Sequence, residues 1–199
     1  MPGMDHTPED QAVAKIRRTV DSFCKTATKR SQPISSGLCP ESGSKDTDGT
    51  QQFDLDLMSR VHIIEASSSG SVIVEIEVGM QYANSAGILH GGAAALILDQ
   101  FTTAAFIPMD SYNMESAGSM PPGGVTRSLN VTYLRPLQLP ATIRVESRVL
   151  QMGEMASLAV GSITRAGSPK RYCIGEHHKL RAAAGGRMSS KDQEAGAKL

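Results

Sequence analysis

The segment 84-NSAGILHGGAAALILDQF-101 combines residue types that could do chemistry. His90 is followed by Gly91 and Gly92, and a nearly continuous apolar run then leads to Asp99. Two glycines at the start of a helix leave backbone N–H groups unpaired and unobstructed by side chains. With the positive end of the helix dipole, these groups predict a site that stabilises an oxyanion. The alternative is that the glycines only permit a tight turn.

Three polar side chains around this turn are further candidates. His90 can brace the turn or donate to a ligand, and Asn84 can offer its amide to the same carbonyl or to a water. Asp99 is unusual in an apolar helix, because Asp is rarely buried without a partner and a desolvated carboxylate becomes a better base. The alternative for Asp99 is a helix face that reaches solvent or a dimer seam.

The spacing of these residues constrains how they could cooperate. Gly91 and Asp99 are eight residues apart, which is about 12 Å along one helix. Gly91 and Asp99 of the same helix therefore cannot touch one reacting carbonyl together. If they share a site, Asp99 must come from a second chain whose helix runs antiparallel to the first. Catalysis by these residues would thus require a two-fold dimer with composite sites.

The surrounding pattern predicts a sheet interrupted by one long helix. The helix should span about residues 91–106, between Gly91-Gly92 and Pro108. Strand patterns occupy 71–80, 124–136, 142–152, 155–165 and 170–180, with a hairpin signal in AGSP between the last two and a further strand expected in 53–65. A helix that is apolar on most faces must be wrapped by other structure. The expected fold class is α+β, with one central helix enclosed by an antiparallel sheet.

The chain divides into three predicted regions. Residues 1–52 should contain a helix (7–30) and a Ser/Gly/Pro-rich linker, residues 53–182 the compact domain, and residues 183–199 a flexible tail. The first helix carries an apolar stripe of Val13, Ile16, Val20 and Phe23. We expect it to pack on the domain rather than lie on a membrane surface. Residues 108–123 form a long loop of the kind that covers a site or is disordered.

Composition excludes several classes of function. Twenty Lys and Arg residues balance twenty Asp and Glu residues, so no global field favours nucleic acid or anionic membranes. No apolar run approaches 18 residues, which argues against an integral membrane segment. Cys24, Cys39 and Cys173 have neither CxxC spacing nor an even count, which indicates reduced thiols in an intracellular protein rather than disulfides or a zinc site.

The order of these residues resembles a known family. The matching positions are Asn84, Gly87, His90, Gly91, Gly92 and Asp99, continued in 124-GVTRSLNVTYLRP-136 and 171-RYCIGEHHKL-180. They resemble the hotdog-fold acyl-CoA thioesterases, with most likeness to the thioesterase-superfamily-member-2 group, which is related to the phenylacetate-pathway thioesterases. The resemblance covers roughly residues 53–182 and implies a dimeric hotdog fold, as a homodimer or a dimer of dimers.

The resemblance also implies roles for individual residues in hydrolysing an acyl-CoA to CoA and a carboxylic acid. The Gly91 N–H would polarise the thioester carbonyl, and His90 and Asn84 would help to hold that carbonyl or the water. Asp99 of the partner chain would act as general base or nucleophile, and Thr126 would position the water. No metal or redox cofactor is implied, since CoA is part of the substrate.

Other functions on the same fold remain open at this point. One is an acyl-thioester hydratase or dehydratase, and another is a non-hydrolytic acyl-binding or assembly protein in a lipid or secondary-metabolite pathway. The cations available for CoA phosphates are Arg127, Arg135, Lys170, Arg171 and Lys179. The tripeptide Ala197-Lys198-Leu199 resembles the peroxisomal C-terminal signal, so the expected location is the peroxisome, with the cytoplasm as the alternative.

Overall fold

The computed structural model describes residues 7–30, 53–109 and 121–181. The helices in these ranges are α1 (Pro8–Arg30), α2 (Phe53–Ser59) and α3 (Gly91–Ala104), with a 3-10 helix at Met80–Tyr82. The strands are β1 (Val61–Ser67), β2 (Ser71–Val78), β3 (Val125–Tyr133), β4 (Ala141–Met152), β5 (Ala156–Arg165) and β6 (Arg171–Leu180).

All six strands form one antiparallel sheet in the order β1-β2-β4-β5-β6-β3. The chain leaves β2, forms α3, and returns as β3 at the far edge of the sheet, next to β6. Within the described residues β3 pairs only with β6, so its outer edge is unpaired. The α+β prediction of an antiparallel sheet around one long helix is confirmed.

The helix α3 fits closely against the inner face of the sheet. Leu98 and Phe101 are buried, and each contributes about 1.5–3 kcal/mol through removal of apolar surface from water. The sheet has glycine residues at the positions where the helix comes nearest to it. A Cβ atom at Gly161 or Gly175 would lie 3.0 Å from a methyl carbon of Leu98. Glycine at these two strand positions therefore sets the distance between α3 and the sheet.

The further strand expected in 53–65 is present, but it occupies only the second half of that stretch. Residues Phe53–Ser59 form α2, and β1 begins at Val61. The sequence FDLDLM alternates like a strand, but the neighbouring residues Leu57 and Met58 are both buried. A short helix buries both of these side chains against the same side of the core, whereas successive side chains of a strand point to opposite faces.

The N-terminal helix begins as its sequence predicts. Asp10 N–H donates to Thr7 Oγ1 at 3.2 Å, and Thr7 N–H donates to Asp10 Oδ2 at 3.1 Å, which is a reciprocal cap. Ile16 is buried, and Val13 and Val20 pack at the margin of the same core. The described part of α1 therefore packs on the domain, against β1 and α2.

Several predictions fall outside the described residues. They are the linker within 31–52, most of the 108–123 loop, the tail 183–199 with Ala197-Lys198-Leu199, and the surroundings of Cys24 and Cys39. Cys173 is buried, and burial raises the pKa of its thiol to about 11. None of the described helices is long and apolar enough to cross a membrane.

Candidate active site

The start of α3 is organised by His90. His90 is the N-cap residue, with extended backbone angles (φ −63°, ψ 136°), and its Nδ1 accepts a hydrogen bond from Gly92 N–H at 3.0 Å. Because Nδ1 is the acceptor, the proton of the neutral imidazole lies on Nε2. The ring is exposed. His90 therefore both caps the helix and presents an N–H donor beside the turn.

The backbone around Gly91 is fixed from two sides. His90 N–H donates to the carbonyl of buried Tyr82 at 2.8 Å, and the Tyr82 hydroxyl donates to Asp56 Oδ2 at 3.1 Å. On the other side, the Tyr133 hydroxyl donates to Gly91 O at 2.8 Å. As the first residue of α3, Gly91 has no helical partner for its N–H, and no described residue accepts from it. Its N–H is thus held in place and available to a ligand.

Asn84 closes the loop that leads to this turn. Its Oδ1 accepts from Ala86 N–H at 2.9 Å and from Ile88 N–H at 3.2 Å. Gly87, at φ 71°, donates its N–H to Asn84 O at 3.0 Å. These bonds use the oxygen of the side-chain amide and leave its Nδ2 as the group that can donate to a substrate. The exposed Asn84 side chain therefore holds the loop through its Oδ1 and can offer its Nδ2 to a substrate.

Asp99 and Thr126 meet on the same chain. Thr126 Oγ1 on β3 donates to Asp99 Oδ1 on α3 at 3.3 Å. The Asp99 side chain is 36% exposed in the single chain, so it lies on the rim of the helix rather than in the core. This exposure agrees with the alternative in which the helix face around Asp99 is not enclosed in the core. A rim carboxylate is accessible to a substrate.

A fully buried histidine, which the sequence analysis missed, supports this pair. His177 Nδ1 lies 2.7 Å from Thr102 Oγ1, and Nε2 lies 2.9 Å from Thr126 Oγ1 and 3.4 Å from Asp99 Oδ1. Thr102 donates its own hydroxyl proton to Leu98 O, so it must accept from His177 Nδ1–H. Nε2 is then an acceptor, so the single hydroxyl proton of Thr126 goes either to His177 Nε2 at 2.9 Å or to Asp99 Oδ1 at 3.3 Å, and not to both at once.

The ionisation of His177 agrees with this arrangement. Burial, and then the charge of Lys179, lower the pKa of His177 to about 4, although Asp99 acts in the opposite direction. The ring is therefore neutral at neutral pH. A neutral His177 can orient the Thr126 hydroxyl without adding a positive charge beside Asp99.

This low pKa predicts a pH-dependent stability. The unfolded chain takes up a proton at His177 near pH 6.5, whereas the folded chain does so only near pH 4. Between these values the unfolded state binds more protons, so stability is lost as pH falls through the window, by as much as about 3 kcal/mol. Urea unfolding between pH 7 and pH 4.5 measures the effect. The free energy of unfolding should depend less on pH in His177→Gln than in wild type. An equal pH dependence in both proteins contradicts the assignment of this low pKa to His177.

Lys179 is a second buried group. It is one of the five cations available for CoA phosphates, but the residue is 3% exposed and its Nζ donates to Thr103 Oγ1 at 2.8 Å. It lies on the inward face because residues of β6 alternate, which buries Cys173, Gly175, His177 and Lys179 together. The other candidate cations, Arg127, Arg135, Lys170 and Arg171, are exposed.

The predicted site residues therefore fall into two half-sites. Asn84, His90 and Gly91 form one, which we call the turn half-site. Asp99 and Thr126, supported by His177, form the other, which we call the carboxylate half-site. Across residues 53–109 and 121–181 no hydrogen bond or ion pair joins the two. No group of three potential metal ligands occurs among the described residues either.

The order of these elements matches a known family. A family model of the thioesterase superfamily matches residues 86–158, a span that holds the α3 turn, Asp99 and Thr126. The chain is similar to the thioesterase superfamily over this span. A curated relative, acyl-coenzyme A thioesterase 13 of Homo sapiens, is 27% identical over 123 residues, which is 62% of this chain and 81% of that protein.

Solved structures of thioesterases share the fold. Zebra fish thioesterase superfamily member 2 is 27% identical with a TM-score of 0.53, over 64% of this chain and 86% of that one. A phenylacetic acid degradation-related thioesterase from Ralstonia eutropha is 20% identical with a TM-score of 0.51, over 61% and 84% of the two chains. The architecture of this chain is the hotdog fold, as the sequence resemblance implied.

Proposed function

We propose that this protein hydrolyses an acyl-CoA thioester to free CoA and a carboxylic acid, with one site assembled from the turn half-site of one protomer and the carboxylate half-site of another. The observation that carries the proposal is the available N–H of Gly91, which is held in place at the start of α3. Its chemical complement is the accessible carboxylate of Asp99 with the Thr126 hydroxyl beside it. The curated relatives named as acyl-coenzyme A thioesterases support CoA esters as the substrate class.

The turn half-site would bind the electrophile. The thioester carbonyl oxygen would accept from Gly91 N–H, where the helix dipole favours developing negative charge. His90 Nε2–H and Asn84 Nδ2 are the further donors that this half-site offers. Because the turn is already held by Tyr82 and Tyr133, these donors need no rearrangement when the oxyanion forms.

The carboxylate half-site would supply the attack. Asp99 takes a proton from a water that the Thr126 hydroxyl orients, and the water oxygen bonds to the carbonyl carbon. The tetrahedral intermediate then collapses, the carbon–sulfur bond breaks, and the proton on Asp99 passes to the leaving thiolate. Attack by Asp99 itself, followed by hydrolysis of the anhydride, gives the same products.

The unpaired edge of β3 supports the composite site. We propose that two β3 strands pair antiparallel about their middle, which places the Thr126 end of one protomer's strand beside the Tyr133 end of its partner's. Tyr133 contacts Gly91, so this pairing brings the turn half-site towards Asp99 of the other chain. Val125 and Tyr133 are 47% and 55% exposed on the single chain, as expected for an edge that another strand covers.

A panel of acyl-CoA substrates assayed with a thiol reagent tests the proposed activity. We expect release of free thiol with at least one acyl chain, well above the rate in buffer and above the rate of an Asp99→Asn variant. An ultraviolet change without thiol release would instead indicate a hydratase or dehydratase. Saturable binding with neither signal would indicate a non-hydrolytic acyl-binding protein, and either result overturns the proposal.

A further inference from the structure

Asp56, on α2, is a carboxylate outside both half-sites, and its two oxygens have different partners. Oδ1 accepts from the Arg60 guanidinium, with Nη2 at 2.8 Å and Nε at 3.1 Å. Oδ2 accepts from Gln81 Nε2 at 3.0 Å and from the Tyr82 hydroxyl at 3.1 Å. Gln81 and Tyr82 end the 3-10 helix that directly precedes the loop of the turn half-site. We propose that Asp56 is a positioning residue, which acts through Tyr82 to hold the oxyanion donors of the turn half-site in place.

The residues that follow the 3-10 helix and the residues that lead into α3 form two facing arms of one loop. Tyr82 O accepts from His90 N–H at 2.8 Å. The next pair inward, Ala83 and Leu89, forms an antiparallel bridge. The arm that begins at Tyr82 is thus bonded directly to the arm that ends at His90. A displacement of Tyr82 would therefore move His90 and the Gly91 N–H that follows it.

The second arm of this loop is also anchored to a different part of the chain. Leu89 N–H donates to Leu137 O at 2.8 Å, and Leu139 N–H donates to Gly87 O at 3.0 Å. The loop is therefore held between this later segment and α2. Because these backbone bonds do not involve Asp56, loss of its carboxylate should let the loop shift without unfolding it.

The bond between Tyr82 and Asp56 has the properties of a strong anchor. Tyr82 is buried, and a buried hydroxyl requires a hydrogen-bond partner. The Asp56 side chain is 19% exposed, so water competes little for this bond. Burial acts to raise the pKa of Asp56, but the hydrogen bonds from its three partners outweigh burial and hold the pKa below its ordinary value. The carboxylate is therefore ionised at neutral pH, and a hydrogen bond to a charged acceptor is stronger than one between neutral groups.

The first test compares turnover in variants that separate the contacts of Asp56, and it rests on the proposed function. Tyr82→Phe removes only the hydroxyl, and Asp56→Ala removes both carboxylate oxygens. In each variant we expect kcat for acyl-CoA hydrolysis to fall about tenfold while KM stays within about twofold, because displaced donors lose contact with the transition state. Arg60→Gln removes the partner of Oδ1 alone and should match wild type. Unchanged kcat in folded Tyr82→Phe and Asp56→Ala overturns the proposal.

A double variant tests whether Asp56 acts through Tyr82. If it does, Asp56→Ala/Tyr82→Phe should have a kcat no lower than either single variant, since the second substitution removes a bond that is already lost. Losses that multiply to about a hundredfold would show that the two residues act independently, which overturns the proposal. Asp56→Asn keeps an oxygen that can accept from Tyr82 and should restore most of the kcat lost in Asp56→Ala.

The second test does not need catalysis. Amide hydrogen exchange is measured by NMR in wild type, Tyr82→Phe and Arg60→Gln. The His90 N–H, which donates to Tyr82 O, should exchange about tenfold faster in Tyr82→Phe but not in Arg60→Gln, while the amides of β4 and β5 keep their wild-type rates. This result supports the inference even if no acyl-CoA is hydrolysed. Equal exchange of His90 in wild type and Tyr82→Phe overturns it. Faster exchange throughout the sheet also overturns it, because that would show a general loss of stability.

Discussion

Replacement of Asp99 by asparagine is expected to lower kcat for acyl-CoA hydrolysis by about 10³-fold. Asparagine has nearly the same shape and can still accept from Thr126 through its oxygen, so the contact that joins α3 to β3 is retained. What is lost is the ability to take a proton or attack a carbonyl, and a general base typically contributes between about 10²- and 10⁴-fold. Steady-state thiol release measures the effect.

The matched control for this variant is Glu146→Gln. Glu146 lies on β4, is exposed, and points away from α3, so the same loss of a carboxylate there should leave kcat unchanged. Size-exclusion chromatography should give the same oligomer for both variants and wild type. Wild-type turnover by a folded Asp99→Asn protein would remove Asp99 from the mechanism.

Replacement of Gly91 by proline is expected to lower kcat by about 10²- to 10³-fold. Proline is well tolerated at the first position of a helix, where its missing N–H has no helical partner. His90, which precedes it, has ψ 136°, the extended conformation that a following proline requires. The substitution therefore removes one proposed oxyanion donor while leaving α3 in place, and the loss of one such donor typically costs this much.

Gly91→Ala separates the N–H from the size of the side chain. A Cβ at Gly91 would lie 3.4 Å from the Tyr133 ring, which is ordinary contact and is common to both substitutions. The alanine variant keeps the N–H and should retain most activity. Equal losses in the two variants would show that crowding against Tyr133, not the missing donor, causes the defect.

The fold was largely predictable from the distribution of apolar residues along the sequence. The apolar run Ala93–Leu98 had to be buried, and the apolar faces of the alternating segments that form β2 and β4–β6 could bury it. The helix α2 was missed because FDLDLM alternates with a period of two over a length too short to show a helical period. In the structure this segment is a helix that buries both Leu57 and Met58.

The predicted site residues lie where chemistry could use them, but their supports were not visible in the sequence. His177 and Lys179 belong to EHHKL, a polar stretch that resembles the solvent face of a strand. Cys173 and Gly175, four and two residues before His177, mark the inward face and could have indicated the direction of both side chains. Tyr133 could not be assigned, because its contact with Gly91 depends on how the end of β3 crosses the start of α3.

The composite site is the central claim, and a complementation experiment tests it most directly. Asp99→Asn and Gly91→Pro chains are expressed together with different tags, and the mixed dimer is purified through both. If each site takes one half from each chain, one of its two sites contains an intact turn half-site and an intact carboxylate half-site. The mixed dimer should then recover about half of wild-type kcat, while each parent dimer stays inactive. If the mixed dimer is as inactive as its parents, both halves act within one chain and the account is contradicted.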